Sequence, residues 1–153
     1  MTPRLRRLAA DYRLVTAALP SNPLITLVGT EGTPPDRYVV EINVTGLVPT
    51  GEDKRELALG HRAEIYLPLD YPRRAPICRM LTPVFHPNID AQKICVGDHW
   101  SAGQSLLLLI SRIAEMIAFQ SYNVKSPLNP LAAVWAETHP ELLPLDRRDV
   151  LPG

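Results

Sequence analysis

The sequence lacks the features of a membrane or secreted protein. No apolar run approaches the roughly 20 residues that a transmembrane helix needs, and LLLLI at 106–110 is far too short. The basic N-terminus, MTPRLRRLAADYRLV, has neither an apolar block nor a small-residue cleavage site, so it does not resemble a secretion signal. Only two cysteines are present, Cys78 and Cys95, which without an export signal predicts free thiols in a reducing compartment. We therefore expect a cytoplasmic protein that does not bind a membrane.

The sequence also lacks an excess of positive charge and contains few lysines. Sixteen acidic residues balance sixteen basic ones, so the chain has no excess of positive charge for nucleic acid, and no nucleic-acid partner is expected. Only three basic residues are lysines: Lys54, Lys93 and Lys125. Genome composition explains this simply, but few lysines would also mean few self-modification targets in a protein that handles lysine-directed chemistry. Nothing resembles a phosphate-binding loop, so the chain is not expected to use ATP itself.

The patterns that are present predict one α+β domain over residues 1–153. Residues 3–19 carry apolar side chains at helical spacing, and the wide apolar face over residues 106–117 is typical of a central buried helix. Between them, apolar and polar residues alternate as in strands. The sequence predicts a four-stranded antiparallel meander, with strands at 24–28, 37–44, 61–69 and 76–81.

Prolines and turn residues predict the connecting segments. Residues 46–60 are expected to be a loop or the tip of a hairpin. Frequent prolines prevent long regular structure over residues 82–104, which we expect to be ordered but irregular. The loop SYNVKSPLNP leads into a short C-terminal helix over residues 130–139. The tail, residues 139–153, is expected either to wrap the core or to pack loosely and fray.

Cys95 raises the main functional question, because FHPNIDAQKICVGDHW places it between a compact turn-forming segment and a tryptophan. It could be a core thiol, a metal ligand or a nucleophile. Cys78, inside the strand-like run PICRM, is best explained as a core thiol. A zinc site is less favoured, because there is no C-x-x-C pair and only Cys95 and His99 have tight ligand-like spacing. The other ligands considered for it are His86, His61 and Cys78. A Cys–His hydrolase is similarly disfavoured, since no third orienting residue is evident.

An ordered set of landmarks surrounds this cysteine: Tyr71-Pro72 with Ala75-Pro76, His86-Pro87-Asn88, Ile94-Cys95, Trp100-Ser101 and Pro127-Leu128. No single piece is specific, since His-Pro-Asn alone occurs by chance, but the order of the whole set is. In this order the landmarks resemble the ubiquitin-conjugating enzymes. The resemblance spans residues 4–139, implies that family's fold, and favours a distant bacterial member in an operon for protein conjugation, in antiviral defence.

The resemblance implies roles for individual residues. Cys95 would accept a ubiquitin-like protein as a thioester and pass it to an amine on a target protein. Asn88 would steady the active-site loop and stabilise the oxyanion that forms during attack. His86 would be structural, with its ring bonded to nearby backbone. Pro87 would fix the turn, and Trp100 would pack beside the site. No metal or other cofactor is implied.

The resemblance also implies partners. An activating enzyme, which uses the ATP, would load the cysteine and recognise the basic first helix, although exposed arginines are also ordinary on protein surfaces. RING-type ligases commonly grip a phenylalanine and a Ser-Pro-Ala, and the matching positions here are Arg73 and Ser101-Ala102-Gly103. Binding to an ordinary RING ligase is therefore not expected. The helix residues concerned are Arg4, Arg6 and Arg7.

The chain departs from the family pattern on the acceptor side. Many relatives carry an aspartate just before the Pro-Leu pair to orient and deprotonate the incoming lysine. This chain has Lys125-Ser126 there, so lysine as the acceptor is in doubt. Asp98, Asn123 and Ser126 are expected to support the site, the first two as candidate substitutes. The alternative function is a non-catalytic variant that only binds a ubiquitin-like protein, although such variants generally lack the cysteine.

Overall fold

The first element is a helix that begins at a proline. In the computed structural model, which describes residues 1–151, α1 spans Pro3–Ala18. The Thr2 hydroxyl caps it by accepting a hydrogen bond from the Leu5 N–H, and Pro3 is well suited to a first turn that leaves N–H groups unpaired. Leu8 and Val15 are buried. The helix predicted over residues 3–19 is therefore confirmed.

Six strands form two antiparallel sheets. The strands are β1 Ile25–Gly32, β2 Pro35–Ile42, β3 Gly46–Gly51, β4 Lys54–Ala58, β5 His61–Tyr66 and β6 Ile77–Met80. The main sheet has the order β1-β2-β5-β6, which confirms the predicted four-stranded meander. The segment predicted as a loop or hairpin tip forms a separate two-stranded hairpin, β3-β4, and the first strand runs further than predicted.

The core lies between one face of the main sheet and the helices. Alternate residues of β2 and β5 are fully buried, as the two-residue period of a strand requires. The second helix, α2, spans Leu106–Ile117, and Ser105 caps it by accepting from the Leu108 N–H. Most of its side chains are buried in the same core. No helix within residues 1–151 is both long enough and apolar enough to cross a bilayer.

A smaller apolar cluster joins the β3-β4 hairpin to the third helix. This helix, α3, spans Pro130–Thr138, and the Asn129 side chain caps it by accepting from the Ala132 N–H. The Arg55 guanidinium of β4 lies 4.6 Å from the centre of the Phe85 ring and 4.9 Å from that of Trp135 on α3. The buried members of the cluster are Leu47, Phe119, Ala136 and Leu143.

A buried polar network connects α1 with α2. The Asp11 carboxylate accepts hydrogen bonds from the Tyr71 hydroxyl, from Arg7 Nε at 2.9 Å and from the Leu106 N–H at 3.1 Å. Burial and the Asp11 charge raise the pKa of Tyr71. Arg7 also donates to two backbone carbonyls within residues 102–104. The network therefore holds the segment after Cys95 against the first helix.

The C-terminal tail lies against the body of the protein. Val150 is buried, and its carbonyl accepts a hydrogen bond of 2.8 Å from the Asn22 side chain. The Asp146 carboxylate accepts from the Thr45 N–H at 2.8 Å and pairs with Arg148, which lowers the pKa of that carboxyl. Of the two behaviours considered for the tail, these contacts correspond to wrapping. Residues 152–153 lie outside the described part.

Candidate active site

The segment that carries Cys95 folds back on itself and is closed by a tight turn. The Asp90 carboxylate accepts hydrogen bonds of 2.8 and 2.9 Å from the N–H groups of residues 92 and 93. Ile89 then pairs with Ile94, and the Cys95 N–H donates to the Asn88 carbonyl at 3.0 Å. The turn therefore places Cys95 directly beside Asn88, although seven positions separate them in the chain.

Asn88 is held by two reciprocal hydrogen bonds. Its Nδ2 donates to the Asn123 carbonyl and its Oδ1 accepts from the Asn123 N–H, both at 2.8 Å. The Pro87 carbonyl accepts from the N–H groups of residues 128 and 129, at 2.9 and 3.0 Å. The His-Pro-Asn segment and the later Pro-Leu loop are therefore fastened together. One N–H of the Asn88 amide remains for another acceptor.

His86 is buried behind this contact and is neutral. Its Nδ1 accepts a 3.0 Å hydrogen bond from the Asn88 N–H, and its ring centre lies 4.6 Å from that of Phe119. Burial lowers the pKa of His86 to about 3, an effect that the Met116 carbonyl partly offsets. That carbonyl is not within hydrogen-bond geometry of the buried Nε2. A proton on Nδ1 would break the bond to Asn88, so only the neutral ring is compatible with this geometry.

A pocket of about 110 Å³ opens beside the Cys95 thiol. It brings together five residues that the sequence analysis singled out: Asn88, Cys95, Asp98, Asn123 and Ser126. Three further lining residues were missed: Met116, Ser121 and Tyr122. Met116 belongs to the buried face of α2, where its pattern indicates only core. Tyr122 could have been suspected, because it directly precedes Asn123 in the loop that completes the pocket.

The two cysteines differ sharply in accessibility. Cys95 is partly exposed and lines the pocket. Cys78 is only 2% exposed, and burial raises the pKa of its thiol. A thiol must reach the thiolate form and meet its substrate in order to react. The core-thiol interpretation therefore fits Cys78, and the position of Cys95 is suited to chemistry.

The zinc alternative finds no support in the ligand positions. Nε2 of His61 lies 3.1 Å from the Val44 carbonyl and 2.9 Å from that of Ala58, so it is occupied by backbone. Nδ1 of His86 is engaged by Asn88, as described above. No group of three or more His, Cys, Asp or Glu residues within the described chain could hold a metal ion. The side chain of His99, which this alternative requires, lies outside the described residues.

The segment after Cys95 is anchored by Trp100. A single 3₁₀ turn, Gly97–His99, carries Asp98. The Trp100 indole N–H donates to the Pro72 carbonyl at 2.7 Å, and its ring centre lies 5.6 Å from that of Tyr71. Trp100 is not among the residues that line the pocket. It holds the turn from behind, and the exposed Asp98 projects on the pocket side.

Two of the three arginines proposed for partner binding are occupied within the protein. Arg4 donates to the carbonyls of residues 67 and 68, at 3.2 and 3.3 Å. Arg7 belongs to the network around Asp11. Arg6 is exposed and its guanidinium contacts only the Met1 carbonyl within the described chain. Of the three predicted residues, Arg6 is therefore the one whose charge is available to another molecule.

Comparisons with known proteins agree with this fold. The family model for ubiquitin-conjugating enzymes matches residues 59–143, more than half of the chain. A 77-residue stretch is 39% identical to ubiquitin-conjugating enzyme E2 13 of Saccharomyces cerevisiae and covers 47% of this chain and 49% of that protein. An 87-residue stretch is 32% identical to ubiquitin-conjugating enzyme E2 N of Drosophila melanogaster and covers 54% and 56%. The chain thus spans about half the length of the curated relatives it matches.

Solved structures extend the likeness to nearly the whole fold. A protein from Trypanosoma cruzi, provisionally described as a ubiquitin conjugating enzyme, superposes with a TM-score of 0.67 at 17% identity, over 94% of this chain and 96% of that one. A similarly described protein from Plasmodium yoelii gives 0.64 at 19% identity, over 95% and 92%. The helix, meander, irregular segment and later helices are thus an established architecture. The chain belongs to the ubiquitin-conjugating enzyme family.

Proposed function

We propose that this protein is a ubiquitin-conjugating-type enzyme that carries a ubiquitin-like protein as a thioester on Cys95. The observation behind this proposal is that the partly exposed Cys95 thiol lines a pocket together with Asn88, whose side chain is hydrogen-bonded to the Asn123 backbone. Loading is a thioester exchange. The Cys95 thiolate attacks the carbonyl carbon of the donor thioester, the new C–S bond forms, and the donor's thiolate leaves and is protonated.

Asn88 serves this reaction chiefly by holding the loop. Through its Nδ2 and Oδ1, the Asn88 amide joins the Cys95 segment to the Asn123 loop. The pocket therefore keeps its shape during thioester exchange. The remaining N–H of Nδ2 is the group proposed to stabilise a developing oxyanion. A neutral donor suits this position, because it adds no charge that would perturb the thiol.

The proposed partners are an activating enzyme, a ubiquitin-like protein and a target protein. Arg6 is the residue of α1 best placed to contact the activating enzyme, since Arg4 and Arg7 are engaged internally. An ordinary RING ligase is not proposed. Arg73 is exposed where such ligases grip an apolar side chain, and the Ala102 carbonyl is bonded to Arg7. Transfer would occur without a ligase or through an unrelated partner.

The proposed setting is the cytoplasm of a bacterium, where this single domain would serve a conjugation operon in antiviral defence. Both cysteines are free thiols, as a reducing compartment requires. The genes that flank this one provide the direct check, because an activating enzyme and a ubiquitin-like protein should be encoded beside it.

The decisive experiment is a loading assay. The protein is mixed with the activating enzyme and ubiquitin-like protein of its own source and with ATP, and then run on a non-reducing gel. We expect an adduct that thiols cleave, that Cys95→Ala abolishes, and that Cys95→Ser converts into a thiol-resistant ester. Cys78→Ala is the matched control and should load normally, because that sulfur is buried.

The same assay tests the binding-only alternative. Retention of the ubiquitin-like protein by both wild type and Cys95→Ala, with no covalent adduct in either, would replace the enzyme with a binding module. The exposed position of Cys95 favours the enzyme over this alternative.

A further inference from the structure

Among the described residues that line the pocket beside Cys95, Asp98 is the one acidic side chain. Asp98 is exposed, lines the pocket, and makes no hydrogen bond or ion pair with the side chains and backbone that the structure describes. Several carboxylates elsewhere in the protein are already paired. Glu64 pairs with arginines at 3.0 Å, and Asp11 and Asp146 each pair with an arginine as well. Asp98 therefore has capacity for an incoming cation.

The other polar groups around the pocket have less to offer a cation. The Asn88 amide is committed to the Asn123 backbone, and the Asn123 side-chain oxygen accepts a 2.7 Å bond from the Lys125 N–H. The Lys125 side chain is not among the lining groups, so no basic group among the described side chains opposes a cation within the pocket. The remaining lining groups that can accept a hydrogen bond are three hydroxyls, on Ser121, Tyr122 and Ser126.

The pocket also has an apolar side. Met116 is buried at its base. The Tyr122 ring is fixed by the ring of Phe119, at 5.2 Å, and by that of His86, at 6.5 Å. Such a wall can contact the methylene chain of an amine. Tyr122 is itself 41% exposed, so the site stays open to water and loss of the amine's proton depends on a base.

We propose that Asp98 binds the ammonium group of the acceptor amine and takes up its proton as the amine attacks the thioester. This inference rests on the proposed thioester function. In many relatives an aspartate just before the Pro-Leu pair has this role, and that aspartate is missing here. The proposal gives the role to Asp98, which lies on the 3₁₀ turn that Trp100 anchors.

In the transfer step, the acceptor amine replaces the Cys95 sulfur on the thioester carbonyl carbon. The acceptor ammonium gives one proton to the Asp98 carboxylate, and its nitrogen attacks the thioester carbonyl carbon. The C–N bond forms and the C–S bond breaks, so that Cys95 leaves as a thiolate. The nitrogen then loses a second proton, which neutralises the thiolate, and Asp98 releases its proton to solvent. The products are an amide and the free Cys95 thiol.

The test bypasses the activating enzyme. Cys95 is acylated directly by exchange with a thioester of a short glycine-ended peptide, with Cys95→Ala as the blank, and discharge is followed by mass spectrometry. Two acceptors are compared, L-lysine and hydroxylamine, because hydroxylamine is already neutral near pH 7 and needs no base. The variants are Asp98→Asn, Asp98→Glu as conservative rescue, and Glu52→Gln as a control that removes an exposed charge in the β3-β4 turn.

We expect Asp98→Asn to slow discharge onto lysine at pH 7 by at least about tenfold. This is below the usual general-base contribution of about 10²- to 10⁴-fold, because the carboxylate is exposed. Discharge onto hydroxylamine should not change. The difference in discharge rate onto lysine between wild type and Asp98→Asn should narrow toward pH 10, because lysine, with a pKa of about 10.4, deprotonates unaided there. Asp98→Glu should recover most of the rate, and Glu52→Gln should behave as wild type.

Each contrary outcome has a separate meaning. Equal rates onto lysine for wild type and Asp98→Asn would overturn the role of Asp98, and so would an equal loss with both acceptors. Failure of wild-type Cys95 to accept the peptide at all would overturn the proposed function itself.

Discussion

The two flanks of Cys95 are built in opposite ways. On the N-terminal flank, Asn88 is 7% exposed, its amide is bonded at both ends, and His86 is buried beneath it. On the C-terminal flank, Asp98 is exposed on a single 3₁₀ turn that Trp100 anchors, and it has no partner among the described side chains. The first flank thus fixes the shape of the pocket. The second leaves a charged group available to whatever enters it.

This division separates stability from reactivity at one site. Groups that hold the loop are hydrogen-bonded within the protein, so their loss should lower folding stability. Groups left free contribute little to folding, so their loss should appear in the chemistry alone. Three variants test this contrast between the two flanks, and they are described from the largest expected effect on folding stability to the smallest.

Removal of the Asn88 side chain should lower the free energy of unfolding more than the other variants do. Asn88→Ala deletes two hydrogen bonds and leaves the backbone N–H and C=O of Asn123 without partners in a half-buried position. We expect the free energy of unfolding to fall by about 2 to 3 kcal/mol, measured by urea denaturation. Asp98→Ala is the matched control and should change it by less than about 0.5 kcal/mol. Similar losses in both variants would erase the contrast between the flanks.

Low pH should reduce the contribution of this N-terminal flank to folding stability, because His86 is buried in its neutral form. Its folded-state pKa, about 3, lies below the ordinary value of 6.5, so the unfolded chain binds the proton more readily. This contribution to stability is present above pH 6.5 and is lost as pH falls below it. From pH 7 to pH 5 the loss from His86 should be about 2 kcal/mol, since each unit of pKa difference is worth about 1.4 kcal/mol.

His86→Gln should flatten this dependence without abolishing it. His61 is also buried, and burial lowers its pKa too, so it adds its own loss over the same range. Carboxylates with lowered pKa values, such as Glu64, matter only at more acidic pH. Unfolding curves recorded between pH 5 and pH 7 isolate the histidines. A variant that kept the full wild-type slope would show that His86 titrates normally.

Trp100→Phe should have the smallest effect on folding and a distinctive effect on transfer. Phenylalanine can keep the contact with Tyr71 but loses the hydrogen bond to the Pro72 carbonyl, which is worth about 1 kcal/mol. Because the tryptophan positions the turn of Asp98, discharge onto lysine should slow more than discharge onto hydroxylamine. Equal slowing would mean that the tryptophan supports the pocket only in a general way.

The fold could largely be predicted because its signals are local. Apolar spacing located α1 and α2, alternation located the four strands of the main sheet, and prolines marked the irregular stretch. The hairpin β3-β4 was left open because its exposed strands bury too little to alternate clearly. The network of Asp11, Arg7 and Tyr71 was missed because it depends on contacts about 60 and 95 positions apart in the chain.

The candidate site was predictable where a residue type carries its own chemistry. Cys95, Asn88 and Asp98 stand out as thiol, amide and carboxylate near one another in sequence. Met116 and Tyr122 do not, because their pattern equally suits core and loop, and only the folded chain brings them to the pocket. The sequence could not show that Arg4 and Arg7 bond to backbone carbonyls within the molecule.

The hydrogen bond from the Ile94 N–H to the Cys78 carbonyl, 2.8 Å long, has a consequence beyond the pocket. Strand β6 is the last of its sheet, and a bare outer strand invites pairing with other molecules and aggregation. The stretch leading to Cys95 lies along that margin and occupies one of its acceptors. The reactive loop therefore also shields the sheet, and a deletion within it should make the protein prone to self-association.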